Sequence, residues 1–181
     1  MIKILKSILA FLARAIVKKF QPNIIAVTGS VGKTSAKETI YAVLANSESL
    51  KSNNQGQWKV RRSRGNFNNE LGLPLTVIVD WKEKSLGLVS HGQPSGTKRF
   101  QKFIFWINVI LIAAGKIIFG RKYEYPNVLI LEFGADRPGD IKKLLKIARP
   151  NIGVITAIGQ VPVHVEFYQN PEEVAKEKFK L

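Results

Sequence analysis

The stretch IIAVTGSVGKTSAKETI, residues 24–40, limits the possible architecture more than any other part of the chain. A β-branched apolar run passes into two glycines, a lysine and a hydroxyl pair, and then into a helix-forming segment. Gly29 and Gly32 let backbone amides turn toward an anion, the following helix directs its positive end there, and Lys33 adds a fixed charge. Thr34 is placed to ligate magnesium through its hydroxyl. An ordinary tight turn is the bland alternative, but a position between strand and helix is the context a phosphate loop requires. The loop is a short form, Thr28-Gly29-Ser30-Val31-Gly32-Lys33-Thr34, and it has Val27 where glycine or alanine is usual.

The rest of the chain alternates in the same way. NVLILEFG reads as a strand, RPGDIKKLLKIA as a helix, NIGVITAIG as a strand and NPEEVAKEKFKL as a helix. The last helix has a clear start: Asn170 at the cap, Pro171 in the first turn, then Glu172 and Glu173 near the positive dipole end. Near-continuous apolar strands separated by helices predict an α/β fold, an open parallel sheet with helices on both faces. LGLPLTVIV, residues 71–79, has no settled type, because Pro74 can open a helix or interrupt a strand. SNNQGQWKVRRSRGNFNNELG, residues 52–72, reads as a polar, turn-rich connection that carries side chains to a site.

Charge separates this chain from an average globular domain. Its 181 residues include 28 Lys and Arg against 13 Asp and Glu, a net charge of +15. The excess is clustered in residues 1–20, from Lys51 to Arg64, and from Lys98 to Lys122, with no acid between Ser85 and Tyr123. Such a surface favours phosphate-bearing partners, whether nucleic acid, anionic lipid or nucleotide-linked ligands. Nucleic acid is set aside, since no zinc pattern, recognition helix or aromatic-rich basic strand accompanies the charge. The chain has no cysteine, which excludes disulfides, thiolate nucleophiles and cysteine-ligated zinc and fits a cytoplasmic protein.

Two segments combine apolar and basic character. MIKILKSILAFLARAIVKKF has helical periodicity, with Ile2, Leu5, Ile8, Leu9, Leu12 and Ile16 on one face and Lys3, Lys6, Arg14 and Lys18 opposite. It can be a helix docked on the domain or a basic helix on an anionic membrane; as a signal peptide it is interrupted by Arg14. FIFWINVILIAAGKIIF has about the length of a short membrane span, broken by Asn108, Gly115 and Lys116. It is expected to be a helix half-buried in protein or in a membrane surface. Residues 1–20 and 100–120 are thus the candidate contacts with an anionic membrane.

Two further residues join the loop as candidates. Glu132 ends NVLILE, and a carboxylate at the carboxyl end of a strand beside a phosphate loop can hold the nucleotide's magnesium. His164, in VPVHVEF, follows the next strand and could help hold a second metal, or be a satisfied loop histidine. His91, in a Gly/Pro/Ser loop, has no partner in the sequence that suggests a role.

VTGSVGKTSAKE, GNFNNELGLPLT, LEFGADRPGDI and TAIGQVPVHVEFYQNPEEVAKEK occur in the order and approximate spacing of the Mur ligases. Over residues 24–181 the chain resembles that family, and within it the branch that adds D-alanyl-D-alanine to a UDP-muramoyl tripeptide. The resemblance fails over residues 1–22 and is interrupted by a long insertion at about 80–123, and QVPVHVE carries two extra residues before the histidine. Residues 1–22 are read from their periodicity as a basic amphipathic helix, and the resemblance implies a partial ATP-binding domain at 23–181. Leu181 stops inside the last helix, so the chain reads as an incomplete piece, inactive alone.

The implied activity is ATP-dependent amide ligation in peptidoglycan precursor synthesis, in the cytoplasm, with the inner face of the plasma membrane as a candidate site. ATP, magnesium, a UDP-muramyl peptide and an amino acid or dipeptide are the implied ligands. Gly29, Ser30, Val31, Gly32, Lys33, Thr34 and Ser35 would hold the nucleotide. Asn68 and Asn69 resemble ligand-contacting asparagines, with turn formation as the alternative. Thr34, Glu132, His164 and a carbamylated Lys178 would hold metal, with Lys33, His164 and Lys178 in catalytic roles. A folylpolyglutamate synthase-like ligase and a non-catalytic, membrane-associated nucleotide-binding module are the alternatives.

Overall fold

In the computed structural model, which describes residues 2–46, 59–65, 67–81, 96–158, 167–168 and 170–181, the sheet is parallel throughout. Its strands are β1 (Asn23–Thr28), β2 (Val60–Arg62), β3 (Val128–Glu132) and β4 (Ile152–Ile155), in the order β2-β3-β1-β4. The helices are α1 (Ile2–Phe20), α2 (Lys33–Asn46), α3 (Gly72–Ile78), α4 (Gly96–Phe119), α5 (Asp140–Leu145) and α6 (Pro171–Lys178). Parallel pairing needs a crossover between strands, and the helices supply it. Val27 pairs with Glu132 in register, so the loop after β1 and the end of β3 lie side by side.

Side chains alternate across the central strands, as the pleat requires. Ile24, Ala26, Leu129 and Leu131 enter the larger core with Leu9, Ile16, Leu73 and Val109. Val27, Val128 and Ile130 face the other way, toward Ala36, Ile40, Tyr41 and Leu44 of α2. Both faces of the sheet are covered, as the apolar strands predicted.

Two elements differ from the sequence reading, and a third resolves a reading that was open. The connection at 52–72 contains β2, an edge strand whose Arg61 is buried. Arg61 Nη1 donates to the carbonyls of Thr76 (3.1 Å) and Val77 (2.9 Å), and the guanidinium lies over the Tyr125 ring. These partners let a cation occupy a core position. Residues 72–78 form a helix with every residue buried, and Pro74 is accommodated in the first turn, where its missing N–H costs nothing. The buried face of α1 is Leu9, Leu12, Ala13, Ile16 and Phe20, whereas Ile2 and Ile8 point to solvent.

α1 is therefore docked on the domain. It packs against α3 and α4, and Phe20 stacks on Tyr125 with ring centroids 4.4 Å apart. Lys19 Nζ donates to the carbonyls of Lys116 (3.2 Å) and Ile117 (2.8 Å), tying the C-terminal ends of α1 and α4 together. Such a cation at a helix C-terminus satisfies orphan carbonyls and opposes the dipole's negative end.

Candidate functional site

The loop after β1 is shaped by two glycines. Gly29 has φ 150° and Gly32 φ 85°, conformations that side chains disfavour. A Cβ at Gly29 would also fall 1.8 Å from Thr156 Oγ1, so no larger residue fits without displacing the end of β4. Thr156 Oγ1 spans the loop, hydrogen-bonding the carbonyls of Thr28 (3.1 Å) and Val31 (2.7 Å). The amides of Ser30 and Val31 donate to Ala157 O at 2.9 and 3.3 Å. Lys33 Nζ curls over the loop onto the carbonyls of Gly29 (2.8 Å) and Ser30 (3.2 Å).

α2 opens directly from this loop. Its first intrahelical bond runs from Ala36 N to Gly32 O, so the amides of Lys33, Thr34 and Ser35 have no acceptor within the helix. With the dipole's positive end they form a natural seat for phosphate oxygens.

Glu132 lies next to this seat and is almost fully buried, at 2 % exposure. Its Oε2 accepts from Thr34 Oγ1 and from Lys37 Nζ, each at 3.3 Å, and its Oε1 accepts from Asn68 Nδ2 at 3.3 Å. Its own amide donates to Ser63 Oγ at 3.0 Å. Three donors, one of them the buried Lys37 ammonium, thus satisfy the two oxygens of this buried carboxylate.

Among the described residues no three acidic or histidine side chains gather into a metal cage. The Thr34 hydroxyl and Glu132 carboxylate nevertheless give two adjacent hard oxygens. That sparse set fits magnesium, which takes one or two protein oxygens together with phosphates and water.

Lys178 reaches the same region from α6. The helix starts as predicted, Asn170 Oδ1 accepting from Glu173 N at 2.9 Å with Pro171 in the first turn. Glu177 Oε1 accepts from Ile141 N at 3.0 Å and fastens α6 to α5. Burial raises the Glu177 pKa, but hydrogen bonds from Lys180, Gly139 and Ile141 outweigh it and hold the carboxyl below its ordinary value. One residue on, Lys178 is 4 % exposed, whereas Lys176 faces solvent. Burial, then repulsion from Lys33, lowers the Lys178 pKa to about 8 against the pull of Asp136 and Glu177.

The structure thus brings Lys33, Thr34, Glu132, Asn68 and Lys178 into one neighbourhood. Asn69 is engaged otherwise: its Oδ1 accepts from the amides of Leu71 and Gly72, both at 3.0 Å, and starts α3. His164 and His91 lie outside the described residues. Lys37, Ser63 and Thr156 went unnoticed in the sequence. Lys37 had a signal, since it lies one turn beyond Lys33 on α2. Ser63 and Thr156 had none, because their partners are remote in sequence.

Comparison with known proteins agrees with this geometry. Bacillus subtilis UDP-N-acetylmuramoyl-tripeptide--D-alanyl-D-alanine ligase is 28% identical over 170 residues, 94% of this chain and 25% of the relative. The Mycobacterium leprae protein of the same description is 30% identical over 176 residues, 96% of this chain and 24% of the relative. Among solved structures, the MurF ligase from Thermotoga maritima in complex with ADP superposes with a TM-score of 0.62 at 28% identity, covering 97% of this chain and 28% of that one. An Acinetobacter baumannii MurF structure at 22% identity and TM-score 0.58 shares the fold. The chain spans about a quarter of the length of the curated relatives it matches. The pattern that defines the Mur ligase middle domain matches residues 27–87 and 116–181, which contain the phosphate loop, Glu132 and Lys178, and the chain belongs to that family.

Proposed function

We propose that the protein carrying this chain is an ATP-dependent amide ligase that joins D-alanyl-D-alanine to a UDP-linked muramyl tripeptide. The observation that carries the reading is the pairing of Val27 with Glu132, which sets the phosphate loop beside a carboxylate at the end of the neighbouring strand. Residues 23–181 are read as part of the ATP-binding domain, with 80–123 an insertion and 1–22 an appended helix. The setting is the cytoplasm, where nucleotide and nucleotide-linked acceptor are both available.

In this reading an acceptor carboxylate oxygen attacks the γ-phosphorus of ATP and the bond to ADP breaks. The dipeptide's amine then attacks the acyl carbon of the acyl phosphate, an amide forms, and phosphate and a proton leave. Both steps depend on positioning and on offsetting negative charge more than on a protein nucleophile. The amides that open α2 and the Lys33 ammonium would hold the β- and γ-phosphates. Thr34 and Glu132 would hold magnesium, which would offset charge on the phosphates when bound. Lys37 would keep the Glu132 carboxylate oriented. Asn68 would orient Glu132 and meet the acceptor, and Lys178 as a carbamate, together with His164, would supply ligands to a second magnesium.

The test uses the full-length protein with ATP, a UDP-muramyl tripeptide and D-alanyl-D-alanine. ADP release that requires all three supports the reading. ADP release supported instead by a folate acceptor with glutamate, or indifferent to any amine, overturns it. The 181-residue chain alone is expected to bind ATP without turnover, since it spans so little of the length of its relatives.

A further inference from the structure

We propose that α4, with the exposed face of α1, is a peripheral docking surface for an anionic lipid bilayer, a role independent of the ligase reading. α4 has two unlike sides. Phe105, Val109 and Ala113 are buried against the domain. Phe100, Phe103, Ile104, Ile107, Leu111 and Ile118 are exposed, with Phe103 at 61% and Leu111 at 62%. At about 100° per residue these six fall in an arc of roughly 100° opposite the buried three. The outer arc is therefore apolar along the length of the helix, far more than the scattered exposed side chains of an ordinary surface.

α1 repeats the arrangement beside it. Ile4, Ile8 and Phe11 are exposed, and Lys3, Arg14 and Lys18 are exposed on the same helix. In α4 the sequence places Lys98 and Arg99 at the start, and exposed Arg121 and Lys122 just beyond the end. Apolar side chains bordered by cations match a bilayer interface, with acyl chains meeting the former and lipid phosphates the latter.

Charge and family pattern select this occupant. A net charge of +15 opposes the face-to-face meeting of two copies and favours an anionic surface. The Mur ligase match leaves out residues 1–26 and 88–115, which hold α1, most of β1 and most of α4. These segments lie outside the family pattern itself.

Phe100–Phe119 is long and apolar enough to cross a membrane. Its packing favours an orientation along the surface instead. Lys19 holds the C-terminal carbonyls of α4, and Lys116 Nζ sits 5.8 Å from the Tyr125 ring centroid, beside the sheet. A spanning helix would have to give up these contacts and the buried row with them.

The experiment is co-sedimentation of the intact protein with phosphatidylcholine vesicles, with and without phosphatidylglycerol. The variants are Phe103→Ser with Leu111→Ser, both on the exposed arc, and Asn108→Ser as a control exposed outside it. Circular dichroism and the urea midpoint confirm that each is folded. Binding should require phosphatidylglycerol, weaken with added salt, and fall roughly tenfold or more in the double variant, as expected for removing two large apolar groups. The control should bind like the parent. Equal binding of parent and double variant overturns the proposal, as does equal binding to both vesicle types. A lipid-free dimer that dissociates in the double variant makes a second copy the occupant. Resistance to alkaline carbonate extraction makes α4 a span.

Discussion

Lys37 Nζ lies 3.3 Å from Glu132 Oε2, and the two side chains are 0% and 2% exposed. Lys37 opens no route to solvent and cannot touch a ligand directly, so it acts by holding Glu132. Removing one member of a buried pair strands the other charge, at a cost of about 3–5 kcal/mol. Lys37→Met should lower stability by that order in urea unfolding. Lys37→Met with Glu132→Gln should recover much of the loss, because neither charge remains. If the double variant is no more stable than the single, the pair does not act as a unit.

Lys33 differs from Lys37 in kind, although one helical turn separates them. Its ammonium rests on loop carbonyls, and its removal leaves no buried charge unpaired. Lys33→Ala should therefore keep the urea midpoint near that of the parent while ATP affinity falls by a factor of roughly a hundred, as for loss of a charge-assisted phosphate contact. Isothermal titration with ATP and magnesium measures it. Equal affinity in variant and parent would remove the loop from the nucleotide site.

The bidentate pair of Arg64 with Asp80, at 2.6 and 3.0 Å, gives a pH signature away from the site. The hydrogen bond from Arg64 is the main cause that depresses the Asp80 pKa below 3.8, against the opposing effect of burial. A depressed carboxyl contributes stability above its unfolded pKa and loses it as pH falls through the folded value. Asp80→Asn should cost about 0.5–1 kcal/mol near neutral pH, since the pair is partly exposed. The gap to the parent should close below pH 3.8, in the acid range where Asp80 itself is protonated. A gap independent of pH would mean that packing, not charge, is lost.

The legible parts of the fold were those whose signals are local. The phosphate loop declared itself through glycine, lysine and hydroxyl spacing between a strand and a helix, and α6 through Asn170 and Pro171. In α6 Lys176 and Lys178 lie about 200° apart around the helix, and one is exposed while the other is buried. β2 was illegible because Val60-Arg61-Arg62 has no apolar alternation, and Arg61 is buried only through Thr76, Val77 and Tyr125. α3 offered no contrast between faces, since every residue from Gly72 to Ile78 is buried. In the site, Glu132 could be read from its strand end. Its network with Lys37, Asn68 and Ser63 could not, because those partners meet only once the sheet has formed.

Lys178 supports the last prediction. Its side chain is 4% exposed on a helix whose neighbouring Lys176 is open to solvent. Burial and the Lys33 charge lower its pKa to about 8, so more of it is neutral near physiological pH than of an ordinary lysine. Carbon dioxide adds to a neutral amine, forming an N–C bond and releasing a proton, and the carbamate offers anionic oxygens suited to a hard cation. An exposed lysine gains nothing comparable, because water already solvates its ammonium. Isotopically labelled bicarbonate should give the full-length protein a carbamate carbonyl resonance that Lys178→Arg removes and Lys176→Arg keeps. Ligation by Lys178→Ala should fall by roughly a hundredfold or more, as for a lost metal ligand, and recover in part with short carboxylates that can occupy the vacated space. A resonance that survives Lys178→Arg, or full activity in Lys178→Ala, would make Lys178 a buried structural lysine instead.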